Sequence, residues 1–215
     1  HVVHAAASQL TIETEAAGTV IGDALTTQPV LNLRDFDGNL ATSNNSTVVT
    51  ATVTTTDGNH VLTSATATAV GGVVAFNNLT LVGTPHFAYK LTFSASGYSV
   101  ASNASITLMH ARPDAIVMQN GSTVTANLSG DALTSQPVLR VLDRFGNLAE
   151  TDNTTVVTAS IYNDVTGSVA GTTTATAANG IVTFSGLRTS GVPGTVYRLA
   201  FAANYSGTAL VGVNS

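Results

Sequence analysis

The sequence predicts an all-β protein built from two tandem β-sandwich domains of about seven strands each. Three observations lead to this prediction: an internal duplication, a composition rich in threonine and valine, and short alternating segments separated by turn residues. We expect the first domain to span 1–108 and the second domain to span 109–215.

The duplication covers most of the chain. The segment 22–31 (GDALTTQPVL) returns at 130–139 (GDALTSQPVL), an offset of 108 residues. The match continues without a gap to Phe93 and Phe201, and about half of the positions are identical. This period is too long for ankyrin, leucine-rich or propeller-blade repeats and fits a whole sandwich domain. Pro113 and its polar neighbours predict a brief, stiff linker between the two domains.

The individual segments are typical of strands. Thr, Val and Ile carry branched Cβ atoms that favour the pleated sheet. In 89–93, Tyr89, Leu91 and Phe93 alternate with polar residues, so we expect these three side chains on one face. Strands of the first repeat are predicted near 9–14, 28–35, 47–55, 62–69, 72–80, 87–95 and 102–108.

Two segments between these strands are predicted to be turns. In 35–39, a glycine can take positive φ and Asp35 can hold the backbone with its carboxylate. The pairs at 71–72 and 179–180 (Gly-Gly and Asn-Gly) are typical of tight hairpins. No segment shows the sustained 3.6-residue periodicity of an amphipathic helix.

Five short motifs occur in both repeats: Gln-Pro-Val-Leu, Asp-x-x-Gly-Asn, Val-Val-Thr-Ala, Gly-x-Val-x-Phe-x-x-Leu and Tyr-x-Leu-x-Phe. Together they resemble the bacterial immunoglobulin-like tandem repeats of large cell-surface and adhesin-type proteins. The resemblance implies an immunoglobulin-like sandwich and an extracellular or cell-surface location. It brings no catalytic residue, because such domains serve as stalks, spacers, adhesive tips and assembly subunits alike.

Composition excludes several function classes. Only 9% of residues are charged and the net charge is −5, with seven Lys and Arg in total. This argues against nucleic-acid partners and against a polybasic membrane patch.

No apolar run is long enough for a membrane span, so we expect no membrane insertion. The first residues lack the features of a signal peptide, which a secreted chain would have lost or carried further upstream. Cysteine is absent, so each domain must be held by packing alone.

The sequence predicts neither an enzyme nor a cofactor. No Ser-His-Asp or Cys-His set is suggested by spacing. His1 and His4 could pair on a transition metal, but a frayed chain start is the favoured interpretation. Calcium at 35–39 is an alternative to a structural turn, and it is disfavoured because the copy at 143–147 loses the second Asp. We therefore predict no metal site, with a linker ion near Asp114 left open.

Asparagine glycosylation is a candidate modification. Asn-x-Ser/Thr motifs occur more often than the Ser and Thr content predicts by chance, and the motif at Asn45 recurs at Asn153. The candidate sites are Asn44, Asn45, Asn78, Asn103, Asn120, Asn127, Asn153 and Asn204.

The function predicted from these features is structural. We expect a subunit or stalk segment of an extracellular or cell-surface assembly, such as a filament, surface layer or adhesin array. Its partners would be other copies of itself or neighbouring repeats, joined through strand edges, together with glycans.

The alternative is an adhesive or carbohydrate-binding module. It would rest on exposed residues clustered at one end of a sandwich, for which the chain offers His86, Phe87, Tyr98, Tyr162 and Tyr205. Phe36 and Phe145 occupy equivalent turns; a cap on the sandwich end is favoured over a contact residue.

Overall fold

A computed structural model of the chain describes residues 5–55, 57–119, 129–162 and 165–215. Every regular element in these ranges is a β-strand, which confirms the prediction of an all-β, immunoglobulin-like sandwich fold. The chain divides into two compact units, His1–Met109 and His110–Ser215. Across the described ranges, no helix is present that is long and apolar enough to cross a membrane.

The first unit is a sandwich of short strands. One sheet has the order β1-β2-β6 and the other β10-β9-β3-β5, with the small pairs β11-β8 and β4-β7 beside them. The strands are β1 (Gln9–Thr14), β2 (Val30–Arg34), β3 (Val48–Val53), β4 (Val61–Thr63), β5 (Thr66–Thr68), β6 (Val73–Ala75), β7 (Thr80–Val82), β8 (Ala88–Tyr89), β9 (Leu91–Ala95), β10 (Tyr98–Ala101) and β11 (Ile106–Thr107).

The second unit repeats this arrangement. The strands are β12 (Pro113–Met118), β13 (Val138–Asp143), β14 (Val156–Ile161), β15 (Ser168–Gly171), β16 (Thr174–Thr176), β17 (Ile181–Thr183), β18 (Leu187–Ser190), β19 (Leu199–Tyr205) and β20 (Thr208–Asn214). A parallel bridge between Ala115 and Val211 joins its two sheets into the order β16-β14-β19-β20-β12-β13-β17, and β15 pairs with β18.

The two units share the same strand register. In the first unit Leu31 lies opposite Val74, and in the second Leu139 lies opposite Val182, which preserves the offset of 108 residues. A one-residue slip would turn every side chain of a strand to the other face, so the same residues face the core in both repeats.

The duplication extends upstream of residue 22, at a different offset. Leu10 of β1 lies opposite Leu33, and Ile116 of β12 lies opposite Val141, so the first strands correspond at an offset of 106 residues. The two-residue difference in length falls between Met118 and Gly130.

Each core lies between the two sheets. The Phe76 and Phe93 rings face each other across the first sandwich with centroids 5.5 Å apart, and Phe184 and Phe201 repeat the contact at 5.6 Å. Such tilted ring pairs add to the stabilisation from burial. The predicted common face of Tyr89, Leu91 and Phe93 is confirmed, since all three side chains are buried.

The hairpin between β5 and β6 is a two-residue turn. Val70 and Val73 exchange both backbone hydrogen bonds around Gly71 and Gly72, whose φ angles are 60° and 81°. Two consecutive positive φ angles define the type I′ turn, which matches the twist of paired strands. Asn179 and Gly180 form the equivalent turn with φ angles of 51° and 74°, so this turn prediction is confirmed.

Several predicted strand boundaries are wrong. The predicted strand at 62–69 breaks into β4 and β5 at Ser64, and the strand at 72–80 breaks into β6 and β7 around Asn78, both residues having positive φ. Of the strand predicted at 102–108, only β11 is present in the structure. The sequence did not predict β10. This strand forms a hairpin with β9 around Ser96 and Gly97, and that turn is too short to be recognised between segments of mixed polarity.

Candidate functional site

The Asp-x-x-Gly-Asn motif forms a closed turn at the end of β2 and β13. Oδ1 of Asp35 accepts the backbone N–H groups of Asp37 (3.1 Å) and Asn39 (2.8 Å). Oδ1 of Asp143 accepts those of Phe145 and Asn147, both at 2.9 Å. The carboxylates hold their own loops, as expected of a structural turn.

Each of these carboxylates also holds the chain that leads into the unit. Oδ2 of Asp143 accepts the N–H of Ala111 at 2.8 Å, and Asp35 accepts that of Ala5. The backbone N–H of Asn39 is the main reason that the pKa of Asp35 lies below its ordinary value, and it outweighs the burial that raises it. Asp35 therefore remains ionised, and both aspartates bind backbone donors.

The repeated glycosylation motif coincides with a structural clamp. Oδ1 of Asn45 accepts the N–H of Gly71 at 2.7 Å, and its Nδ2 donates to the Ser43 carbonyl at 3.2 Å. In the second repeat, Oδ1 of Asn153 accepts the N–H of Asn179 at 2.9 Å, and its Nδ2 donates to the Thr151 carbonyl at 3.2 Å. The amide thus ties the type I′ hairpin to the loop before β3 or β14, which is a sufficient reason for its recurrence.

The other candidate glycosylation sites differ in accessibility. Asn44 is half-buried and uses its amide locally: Nδ2 donates to Thr47 Oγ1 at 2.8 Å. Asn78, Asn103 and Asn204 are exposed, and Asn204 accepts the N–H of Gly207 at 2.9 Å. Asn120 and Asn127 lie outside the described residues.

Asp152 occupies the position that Asn44 has in the first repeat. Its Oδ1 accepts the backbone N–H groups of Thr154 (2.9 Å) and Thr155 (3.0 Å). Burial raises the pKa of Asp152, but the hydrogen bonds from Thr155 and Thr154 outweigh it, so the pKa lies below the ordinary value. This aspartate also serves the backbone of its own loop.

Sequence reasoning missed the role of the repeated glutamine. Nε2 of Gln28 donates to the carbonyls of Leu25 (2.9 Å) and Leu79 (3.2 Å), while Oε1 accepts the N–H of Leu79 at 2.8 Å. Gln136 makes the same three bonds with Leu133 and Leu187. The side chain thus acts as a strand segment that pairs with the backbone, and its exact recurrence in the Gln-Pro-Val-Leu motif is the only sequence signal for it.

A tyrosine closes one end of each sandwich: Tyr89 is buried and Tyr197 is half-buried. The Tyr89 hydroxyl accepts the N–H of Thr84 at 2.7 Å, and that of Tyr197 accepts the N–H of Val192 at 2.8 Å. A tyrosine that bonds a backbone group a few residues upstream is a known feature of immunoglobulin-like sandwiches. Burial raises the pKa of Tyr89, and a hydrogen bond from Thr84 lowers the pKa of the neighbouring Asp57 carboxyl.

The histidines that the structure describes do not belong to a metal-binding cluster. In the described ranges, no group of three or more His, Cys, Asp or Glu side chains is arranged to hold a metal ion, and His1 and His4 lie outside these ranges. Nε2 of His110 accepts the N–H of Thr151 at 3.1 Å, so its proton lies on Nδ1, which donates to the Ala111 carbonyl at 2.6 Å. His110 therefore anchors the start of the second unit.

The aromatic residues considered for carbohydrate binding do not converge. His86 and Phe87 precede β8, at the end of the first unit where the chain leaves it, whereas Tyr98 begins β10 beside Ala5 and Ala7 at the other end. In the second unit Tyr162 directly follows β14 and Tyr205 ends β19. Because these two strands are antiparallel, the two tyrosines also lie at opposite ends.

The expectation that Phe36 caps the sandwich is wrong. Its side chain is 82% exposed, whereas Phe145 is 39% exposed and lies beneath the Arg144 guanidinium, 4.8 Å from the ring centroid. The turn directs the aromatic ring at position 36 into solvent. Residue type alone does not give the direction of a turn side chain.

Several strand edges offer only short segments, although β1, at the edge of the order β1-β2-β6, has six residues. The outer strands β5 and β6, and their counterparts β16 and β17, have three residues each. Very short edge strands are one way in which sheets avoid uncontrolled pairing. Association through edges remains a prediction.

Comparisons with known proteins give distant structural likeness. No protein-family model and no curated protein matches the sequence. Parabacteroides merdae β-glucuronidase has 11% identity and a TM-score of 0.31 over 96% of this chain, which spans only 23% of that enzyme. Domains 5–6 of the S-layer protein SbsC have 15% identity and a TM-score of 0.33, covering 97% of this chain and 96% of that one. The Yersinia pseudotuberculosis adhesin InvE has 15% identity and a TM-score of 0.33, covering 96% of this chain and 57% of the adhesin.

Proposed function

We propose that the chain is a structural subunit or stalk segment of an extracellular or cell-surface assembly. The observation that carries this proposal is what the repeated polar residues do. The pairs Gln28/Gln136, Asn45/Asn153 and Asp35/Asp143 all bind backbone groups of their own unit. Repetition has therefore preserved the sandwich and its turns, which is what a spacer or lattice subunit needs.

The surface supports the same proposal. Four outward positions of β3 and β9 carry hydroxyl groups, with Thr50 opposite Ser94 and Thr52 opposite Thr92, while the outward Val48 is apolar and 51% exposed. Sheet faces that carry hydroxyl groups in place of charged groups do not repel each other electrostatically. Such faces suit dense packing in an assembly.

Catalysis and adhesion are less well supported. That the chain is not an enzyme and needs no cofactor stays a prediction. An adhesive or carbohydrate-binding module would use convergent aromatic and polar side chains, as binding sites usually do, whereas Tyr162 and Tyr205 lie at opposite ends of the antiparallel pair β14 and β19.

Glycans are a further part of the proposal. Asn78, Asn103 and Asn204 are exposed, so a glycan on them would project into solvent and add polarity to a weakly charged surface. Enzymatic release of glycans from the native protein in heavy-oxygen water, followed by peptide mass spectrometry, would label the occupied asparagines. Unlabelled asparagines throughout would contradict this part alone.

The structural role is tested on intact cells of the native source. Immunogold labelling should mark the outside of the cells in a regular layer, filament or fibre, and external protease should remove the label without lysis. Label confined to the cell interior would overturn the proposal.

A further inference from the structure

The hairpin between β16 and β17 contains a chemically reactive dipeptide. An asparagine that precedes a glycine is prone to deamidation, because glycine has no side chain to shield its backbone nitrogen. The sequence contains two such pairs, at 120–121 and 179–180. The first pair lies outside the described residues. In the second pair Asn179 is exposed and Gly180 is buried.

Deamidation at this pair is a reaction between neighbouring groups of the chain. The Gly180 nitrogen loses its proton and attacks Cγ of Asn179, the bond from Cγ to the side-chain nitrogen breaks, and ammonia leaves. The five-membered succinimide that results then takes up one water molecule. It opens either to aspartate or to isoaspartate, in which the main chain runs through Cβ and Cγ. Water is the only co-reactant.

The folded hairpin engages the attacking nitrogen in a hydrogen bond. The Gly180 N–H donates to the Asp152 carbonyl at 2.9 Å, and the N–H of Asn179 donates to Oδ1 of Asn153 at 2.9 Å. Removing the Gly180 proton would place a negative charge against a carbonyl oxygen and leave that carbonyl without its donor. The nitrogen is therefore a poor nucleophile while the hairpin is closed.

The turn also holds the reacting atoms apart. Ala178 and Ile181 exchange backbone hydrogen bonds of 2.8 and 3.0 Å around the type I′ turn at Asn179 and Gly180. In such a turn the ψ angle of the first central residue is about +30°. At an L-residue this places the next nitrogen nearly opposite Cβ. Closure of the succinimide ring requires that nitrogen on the same side as Cβ, so the hairpin must open first.

We propose that Asn179 is a latent deamidation site, protected in the closed hairpin and reactive when the hairpin opens. The product is permanent, because isoaspartate lengthens the main chain by one carbon and the two-residue turn cannot re-form around it. The fraction converted should therefore increase with the time that the β16–β17 hairpin spends open. This proposal goes beyond the structural role proposed above and does not depend on it.

The first unit offers a matched hairpin without the reactive side chain. The Gly72 N–H donates to the Asn44 carbonyl at 2.9 Å, and the Gly71 N–H donates to Oδ1 of Asn45 at 2.7 Å, as at the equivalent positions of the second unit. A Cβ atom at position 71 would have only the Thr42 carbonyl oxygen within 4.0 Å. Asparagine tolerates positive φ, so Gly71→Asn can create a second protected pair in the same chain.

The first experiment compares the folded 215-residue chain with a synthetic peptide of residues 174–185 at mildly alkaline pH. Peptide mass spectrometry measures the loss of the amide and the isoaspartate formed at position 179. Conversion should be at least about tenfold slower in the folded chain, because the reaction proceeds only from locally opened states. In Gly71→Asn, the introduced asparagine should be protected to a similar degree. Equal rates in the folded chain and the peptide would overturn the proposal.

The second experiment weakens the hairpin bonds one unit at a time. Asn153→Ala removes the acceptor of the Asn179 N–H and should speed conversion at position 179 about fivefold, the effect of one hydrogen bond on the opening equilibrium. Asn153→Asp keeps an acceptor oxygen, and Asn45→Ala alters the other unit, so both should stay close to the wild-type rate at this position.

Circular dichroism establishes that each variant folds, and hydrogen exchange of the Gly180 N–H should accelerate together with deamidation in Asn153→Ala. If Asn153→Ala does not speed conversion, or if Asn45→Ala speeds it equally, the bonds of this hairpin do not control the reaction and the proposal is wrong.

Discussion

Asn45 Oδ1 accepts the Gly71 N–H at 2.7 Å, so the side chain that resembles a glycosylation acceptor binds the tight hairpin between β5 and β6. Asn153 makes the same bond to Asn179 at 2.9 Å. A clamp of this kind explains why this motif, alone among the sequons, is repeated at the offset of 108 residues. The fold therefore accounts for the repetition, and glycosylation of Asn45 and Asn153 stays a prediction.

Replacing Asn45 should separate the clamp from the sequon. Asn45→Ala leaves the Gly71 N–H without its acceptor and should lower the free energy of unfolding by about 1 kcal/mol, a change measurable by urea denaturation. Asn45→Asp abolishes the sequon but keeps the acceptor oxygen, so its stability should stay close to that of the wild type. Equal losses in the two variants would show that the Nδ2 bond to Ser43 matters more than the hairpin bond.

Gln28 should be among the costlier polar positions to change. Gln28→Ala removes three hydrogen bonds and leaves the Leu79 N–H unpaired, so we expect a loss of about 1–3 kcal/mol in the free energy of unfolding. The matched control is Gln9→Ala, since Gln9 is exposed and makes a single long bond of 3.3 Å to the Phe36 carbonyl. If both variants lose the same stability, the side-chain clamp is not a significant part of the sandwich.

Contacts between residues close together in the sequence are easier to predict from it than contacts between residues far apart in the sequence. The turn at 35–39 could be predicted because Asp35 binds groups only two and four residues away. The Gln28 clamp could not, because its partner Leu79 is 51 residues away and no pattern in the sequence marks the pairing. The direction of Phe36 was predicted wrongly for a related reason: exposure depends on how the folded turn meets the sheet.

Gly83 is required by the ring of Tyr89. A Cβ on Gly83 would lie 2.6 Å from the Tyr89 Cζ atom, and Gly83 does not have positive φ, so the cost of Gly83→Ala is steric. Overpacking of this kind typically costs about 1–3 kcal/mol, and thermal unfolding should show the loss. In the double variant Gly83→Ala with Tyr89→Leu, the loss should be smaller than the sum of the single losses, because the second change removes the clash. Additive losses would contradict the contact as the cause.

Asp152 should make the second unit sensitive to acid. Its pKa in the folded chain is below the ordinary value of 3.8, so its contribution is present above about pH 3.8 and is lost as pH falls through the folded pKa. Asp152→Asn keeps an Oδ1 acceptor and copies the Asn44–Thr47 arrangement of the first repeat. Urea midpoints of the two proteins should therefore be similar near neutral pH and diverge below about pH 3.8, where the wild type loses more stability. Only the wild type has a group to protonate at position 152. If the urea midpoints of the two proteins fall in parallel across the whole acidic range, the carboxylate of Asp152 is not what stabilises this loop.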